Sequence, residues 1–95
     1  MDNVTVLYFM TTGWHCPACH GTLPHVKSVC SDMSVSLEIV DVSDTINSGE
    51  AIAGRYGICG LPTVVVLRNE REVGRVETGV TKQAVIDLVK SAKGD

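Results

Sequence analysis

Val4-Thr5-Val6-Leu7-Tyr8-Phe9-Met10-Thr11-Thr12-Gly13-Trp14-His15-Cys16-Pro17-Ala18-Cys19 is the stretch whose reading decides the fold. Val4 to Phe9 is dense in β-branched and aromatic residues, which suits a buried strand, and Thr11-Thr12-Gly13 ends it. Pro17 follows where a first helical turn tolerates a missing N–H. Beyond it Cys19, Leu23, Val26 and Cys30 recur at helical spacing. Cys16 and Cys19 therefore open a helix, close enough to join as a disulfide. The free N–H groups and positive dipole end of that helix favour a thiolate on the first sulfur. One thiolate that attacks a foreign disulfide, beside a second thiol that releases the adduct, makes a two-electron exchange pair. Zinc knuckles, haem attachment and metal carriers also use C-x-x-C, so the motif does not decide alone.

Outward from this stretch, Pro24 falls inside the helix and removes one backbone donor, which predicts a kink. Val35 to Val40 alternates apolar and polar residues as a half-buried strand does. Asp44 to Ser48 reads as a turn and cap before a short helix through Glu50, Ala51, Ile52 and Tyr56. Gly57 to Pro62 is a loop, and Thr63 to Leu67 is a continuous apolar strand covered on both faces. Arg68-Asn69-Glu70-Arg71 connects it as a hairpin to a strand from Glu72 to Thr78. Gly79 breaks the chain, and Thr81 caps a last helix with Ala84, Val85, Leu88 and Val89 on one face. The order is βαβαββα: an α/β unit, one domain over residues 1–95, with a mixed sheet of about four strands flanked by helices.

Composition narrows the function classes. The chain is 44% hydrophobic and 20% charged, which suits a packed core rather than disorder. A net charge of −3 with scattered Lys and Arg leaves no footprint for nucleic acid or an anionic membrane. The apolar runs, Val64 to Leu67 among them, are far too short to span a bilayer. Met1-Asp2-Asn3 starts with an acid and runs into the first strand, unlike a signal peptide. A reducing, cytoplasmic setting is expected, where paired thiols serve catalysis or metals rather than structure.

Four features in order resemble the thioredoxin superfamily over nearly the whole chain. Trp14 precedes the C-x-x-C, and Pro24 follows five residues after Cys19. Tyr56-Gly57-Ile58-Cys59-Gly60-Leu61-Pro62-Thr63 leads into the apolar strand, and Gly79 follows the hairpin. The resemblance implies the thioredoxin fold in a minimal form, lacking an extra N-terminal strand and helix. It implies a dithiol–disulfide oxidoreductase in which Cys16 is the nucleophile and Cys19 the resolving thiol. Pro62 would be cis beside the two cysteines, with Gly60 and Leu61 offering a free backbone edge to an extended substrate. Trp14, Leu61, Gly79 and Val80 would rim a shallow apolar groove.

His15, Pro17 and Ala18 are expected to tune the pair. Lowering a thiol pKa from ~8.5 by ~2 units raises its ionised fraction at neutral pH about 25-fold, while nucleophilicity falls about 8-fold. The net gain in speed is only about threefold, so these neighbours set redox poise more than rate. Expected partners are protein disulfides and a thioredoxin reductase-type or glutathione-based electron donor. The protein is expected to act as a monomer, without cofactor, metal, nucleic acid or membrane.

The chain departs from the family pattern in two places. Thioredoxins bury a carboxylate beneath the resolving cysteine, yet the strand Val4 to Met10 contains no acid, and Leu37 stands near the place of the usual lysine. The proton acceptor for Cys19 is thus unassigned. His15 also separates Trp14 from Cys16, which shifts the indole by one position. A glutaredoxin-like protein coupled to glutathione is the near alternative. Gly60-Leu61-Pro62 and Gly79-Val80-Thr81 stand where that branch carries Thr-Val-Pro and a Gly-Gly followed by acids, and no Lys or Arg lies just before Cys16.

A C-x-x-C metal-binding module is a second alternative, although no second cysteine knuckle is present and the element order is not that of copper carriers. Cys16 to His20 also spells the C-x-x-C-H of haem attachment, which suits mostly helical proteins rather than this β-rich second half. His20 and His25 read as exposed helix positions and Cys30 as a buried core thiol. Cys59, three residues before Pro62, is either a further redox thiol or a plain loop residue.

Overall fold

The computed structural model describes residues 3–77 and 79–94. Its elements are β1 (Val4–Met10), α1 (Pro17–Asp32), β2 (Ser36–Asp41), α2 (Gly49–Arg55), β3 (Thr63–Arg68), β4 (Arg71–Val76) and α3 (Lys82–Lys93). This is the βαβαββα order, and the strands form a mixed four-stranded sheet ordered β2-β1-β3-β4. β1 pairs parallel with β2 and antiparallel with β3, and β4 closes the other edge antiparallel to β3. The expected end of the last strand at Thr78 lies outside the described residues.

β1 and β3 occupy the middle of the sheet and are buried on both faces, which is why neither shows an apolar/polar alternation. Val4, Val6, Tyr8 and Met10 of β1 face one side. They pack with Val64 and Val66, with Cys19, Val26, Val29 and Cys30 of α1, and with Val85, Val89 and Ala92 of α3. Leu7 and Phe9 face the other side and meet Val65, Leu67, Val40 and Ala53 of α2. Burial of each such side chain contributes roughly 1.5–3 kcal/mol, so this double-sided core carries most of the favourable energy of folding.

Local chemistry sets the joints. Asn69 and Glu70, with φ of 52° and 71°, make a two-residue turn whose left-handed geometry matches the twist of a hairpin. The turn is tied to the chain start, because Asn3 donates to Asn69 Oδ1 at 2.9 Å and Asn69 donates back to the Asn3 carbonyl at 2.8 Å. Opposite Val66 and Leu67 the register skips Val73, which bulges β4 against β3. Thr81 caps α3 as its hydroxyl accepts from the Ala84 N–H at 3.1 Å. α1 continues through Pro24 to Asp32 as one helix.

Candidate active site

Cys16 and Cys19 are joined as a disulfide, with an S–S distance of 2.11 Å and Cα atoms 5.3 Å apart. Cys16 is the N-cap of α1, and its sulfur accepts the Cys19 backbone N–H at 3.2 Å. A helix start exposes N–H groups that no carbonyl of the helix can satisfy. Here the Cys19 N–H is shared between the Cys16 carbonyl at 3.1 Å and the Cys16 sulfur, an arrangement that also stabilises negative charge on the sulfur once the disulfide opens. Pro17 at the first helical position supplies the bend without wasting a donor. Cys16 is partly exposed, whereas Cys19, one turn in, is fully buried against β1. The two sulfurs are chemically unequal by placement.

The loop leading into this turn is fastened from β2. Asp41 accepts from the Thr12 N–H at 3.3 Å, from the Ser43 N–H at 3.0 Å and from the Ser43 hydroxyl at 2.6 Å, and it also pairs with the Thr12 hydroxyl. Those bonds, from Ser43 first and Thr12 second, hold its carboxyl down at about 2. The buried Thr11 hydroxyl accepts from the Gly13 N–H at 3.1 Å. Beyond this clamp the chain turns outward and presents Trp14, which is 64% exposed.

A second loop, residues 57–62, faces the disulfide turn. Gly57 takes a left-handed φ of 63° just after α2, and Ile58 donates to the Ala53 carbonyl at 3.0 Å. Arg75 of β4 reaches back to the Tyr56 carbonyl at 2.9 Å while held by Glu72 at 2.7 Å. Thr63 Oγ1 donates to the Gly60 carbonyl at 2.6 Å. The Leu61–Pro62 peptide is cis, and Pro62 is buried.

Two shallow hollows meet at Leu61. One, of about 200 Å³, is walled by Trp14, Val42, Ile58, Cys59, Gly60 and Leu61. The other, of about 370 Å³, is walled by Ala18, Thr22, Leu61, Pro62, Gly79 and Val80 with Glu77 at its side. Of the residues expected to meet substrate, Trp14 and Gly60 lie on one side of Leu61, and Pro62, Gly79 and Val80 on the other. His15 and Pro17 are exposed beside Cys16, as are His20 and His25 along α1.

Cys59 is exposed, with its thiol 3.4 Å from the Gly57 carbonyl. Cys30 is buried, and burial pushes its thiol up to about 11. Among the described residues no three His, Cys, Asp or Glu side chains converge as a metal site. No helix there is long and apolar enough to cross a membrane.

The thioredoxin family profile matches residues 1–91. The chain belongs to the thioredoxin family. Solved thioredoxins share its fold. That of the thermophilic eubacterium Thermosipho africanus is 20% identical with a TM-score of 0.81, over 95% of this chain and 94% of that one. The Schistosoma mansoni thioredoxin is 28% identical with a TM-score of 0.80, over 94% and 78%. The Fasciola hepatica thioredoxin is 23% identical with a TM-score of 0.79, over 95% and 81%. No curated protein matches the chain. The family fold with a bonded Cys16–Cys19 pair is consistent with thiol–disulfide oxidoreductase chemistry.

Two residues of this family member carry no motif in the sequence and gain their meaning only from the fold. Asp41 clamps the loop before Trp14, and Tyr8 lies beneath Cys19. An acid at a strand end and an aromatic in an apolar run are common features, so periodicity offered no signal for either.

Proposed function

We propose that this protein is a small dithiol–disulfide oxidoreductase acting on protein disulfides. The reading rests on one observation above all: a partly exposed Cys16 sulfur, capped by the Cys19 N–H at a helix start and bonded to a buried Cys19. In the reduced protein the Cys16 thiolate attacks one sulfur of a substrate disulfide, and the other substrate sulfur leaves as a thiolate. Cys19 then attacks the Cys16 sulfur, expels the second substrate sulfur and closes the Cys16–Cys19 bond. Two electrons pass from protein to substrate, and a thioredoxin reductase-type or glutathione-based donor returns them.

The remaining roles belong to the same proposal. Residues 1–95 act as one domain and as a monomer in a reducing, cytoplasmic setting. An extended substrate segment lies against Gly60 and Leu61, crossing between the two hollows, with Trp14 at one end and Pro62, Gly79 and Val80 at the other. His15, Pro17 and Ala18 adjust the poise of the pair. Exposed Cys59 lies in the wall of the Trp14 hollow, where a further thiol could exchange with a substrate held there.

The test is a trap. Cys19→Ser is expected to accumulate a mixed disulfide between Cys16 and a disulfide-bonded protein substrate, visible by mass, whereas Cys16→Ser is expected to form none. Normal turnover by Cys19→Ser would sink the two-thiol mechanism.

A further inference from the structure

β1 offers no acid beneath Cys19, but it offers a phenol. Tyr8 is fully buried, and its hydroxyl lies 2.6 Å from the backbone carbonyl of Cys19. A carbonyl can only accept, so the phenol proton is committed to it. That bond spends the phenol's one donor on the first turn of α1. No described buried side-chain polar atom lacks a partner, so the buried phenol is satisfied by this contact.

The peptide groups on both sides of Cys19 are therefore held. Its N–H is bonded to the Cys16 sulfur, and its C=O is bonded to Tyr8. The Cys19 side chain hangs from a backbone pinned at each end. We infer that Tyr8 is a positioning residue for the resolving step, holding the Cys19 sulfur within reach of Cys16 by its grip on the first turns of α1. This rests on the oxidoreductase reading above.

Tyr8 acts through geometry, since its proton faces a carbonyl and it cannot take the Cys19 proton in this arrangement. Burial raises its pKa further, which keeps it a neutral donor. Restraint of a reacting group raises its effective concentration toward its partner. A buried neutral hydrogen bond carries a net factor of about two to tenfold in an equilibrium. Loss of the hydroxyl should weaken Cys16–Cys19 closure by up to that factor.

The experiment compares the wild type with Tyr8→Phe and with 3-fluorotyrosine at position 8 in graded thiol–disulfide buffers and in single-turnover release of a trapped mixed disulfide. Tyr8→Phe is expected to shift the closure equilibrium about two- to tenfold toward the dithiol, or ~10–30 mV upward in potential. It is expected to slow release of the mixed disulfide by a similar factor and to leave the initial attack by Cys16 unchanged within about twofold. Site-specific 3-fluorotyrosine at position 8, which keeps the ring and makes the phenol a stronger donor, is expected to shift the same quantities the opposite way by a smaller factor.

Unchanged potential and release rate in Tyr8→Phe, with only a lowered melting temperature, would overturn the positioning role. Should Tyr8→Phe fail to fold, the fluorotyrosine protein decides by the same readouts, and an unchanged potential and release rate there would overturn the role. A wild type that forms no Cys16–Cys19 bond and traps no mixed disulfide would instead overturn the oxidoreductase reading, before any variant is compared.

Discussion

Asp41, the last residue of β2, accepts the backbone N–H of Thr12, which lies just beyond the last residue of β1. The same carboxylate takes two bonds from Ser43 and pairs with the Thr12 hydroxyl. Two adjacent strand ends are thus tied at the point where the chain leaves the sheet for Trp14 and Cys16. The turn that carries the thiols starts from a fixed anchor rather than from a free loop.

That anchor is sensitive to acid. The Asp41 carboxyl is held at about 2 against an ordinary 3.8 by its bonds from Ser43 and Thr12. A depressed folded-state value means stability that is present in full above about pH 4 and is lost as the pH falls through about 2. Thermal unfolding followed by circular dichroism should show Asp41→Asn less stable than the wild type at neutral pH. The gap should shrink between pH 4 and 2. A gap independent of pH would show that the carboxylate charge does not matter there.

The start of α2 leaves no room for a side chain. A Cβ on Gly49 would lie 2.0 Å from the Asp41 backbone carbonyl oxygen, whereas one on Gly54 would meet nothing within 4 Å. Gly49→Ala is expected to lose about 3 kcal/mol or more in urea unfolding, because backbone must move. Gly54→Ala, inside the same helix, is expected to gain roughly 0.5–1 kcal/mol. Equal effects at the two sites would contradict the close approach.

The two free thiols differ in reach. Cys59 is exposed, while Cys30 is buried with its thiol pushed to about 11. Timed alkylation of the oxidised protein at mildly alkaline pH, read by mass spectrometry, should label Cys59 more than about 100-fold faster than Cys30. Denaturant should erase the difference. Comparable native rates would show that the α1–sheet core opens readily around Cys30.

Trp14 stands exposed in the wall of a hollow, and the proposed groove gives it a binding role. At 64% exposure its replacement by Ala should change stability by no more than about 0.5 kcal/mol. It should lower kcat/KM for a protein disulfide about tenfold through KM, as loss of an aromatic contact does. An unchanged KM would remove Trp14 from the groove.

Much of the fold is legible in the chain because each element has a strong local cause. Val4 to Met10 and Thr63 to Leu67 can only be buried strands, Pro17 and Thr81 mark helix starts, and Asn69-Glu70 falls between two strands. The paired cysteines and the loop to Pro62 are legible for the same reason, being unusual residues at fixed spacing. The contacts of Tyr8 and Asp41 are not. Each depends on which residue of a neighbouring element arrives opposite, and that register is a property of the packed sheet. Tyr8 in isolation is one more aromatic in an apolar run, and only its 2.6 Å approach to the Cys19 carbonyl gives it a role. The bulge at Val73 is hidden likewise, since it arises between β3 and β4 rather than within either.

The most direct measurement is an anaerobic redox titration in graded thiol–disulfide buffers, with alkylation and mass spectrometry reporting the state of every cysteine. A two-electron transition confined to Cys16 and Cys19, with a slope of about 30 mV per tenfold, is the expected result. Cys30 and Cys59 should stay reduced through that transition. Failure of Cys16 and Cys19 to join at any poise, or their protection from alkylation until a chelator is added, would contradict the exchange mechanism and point to a metal held by the pair.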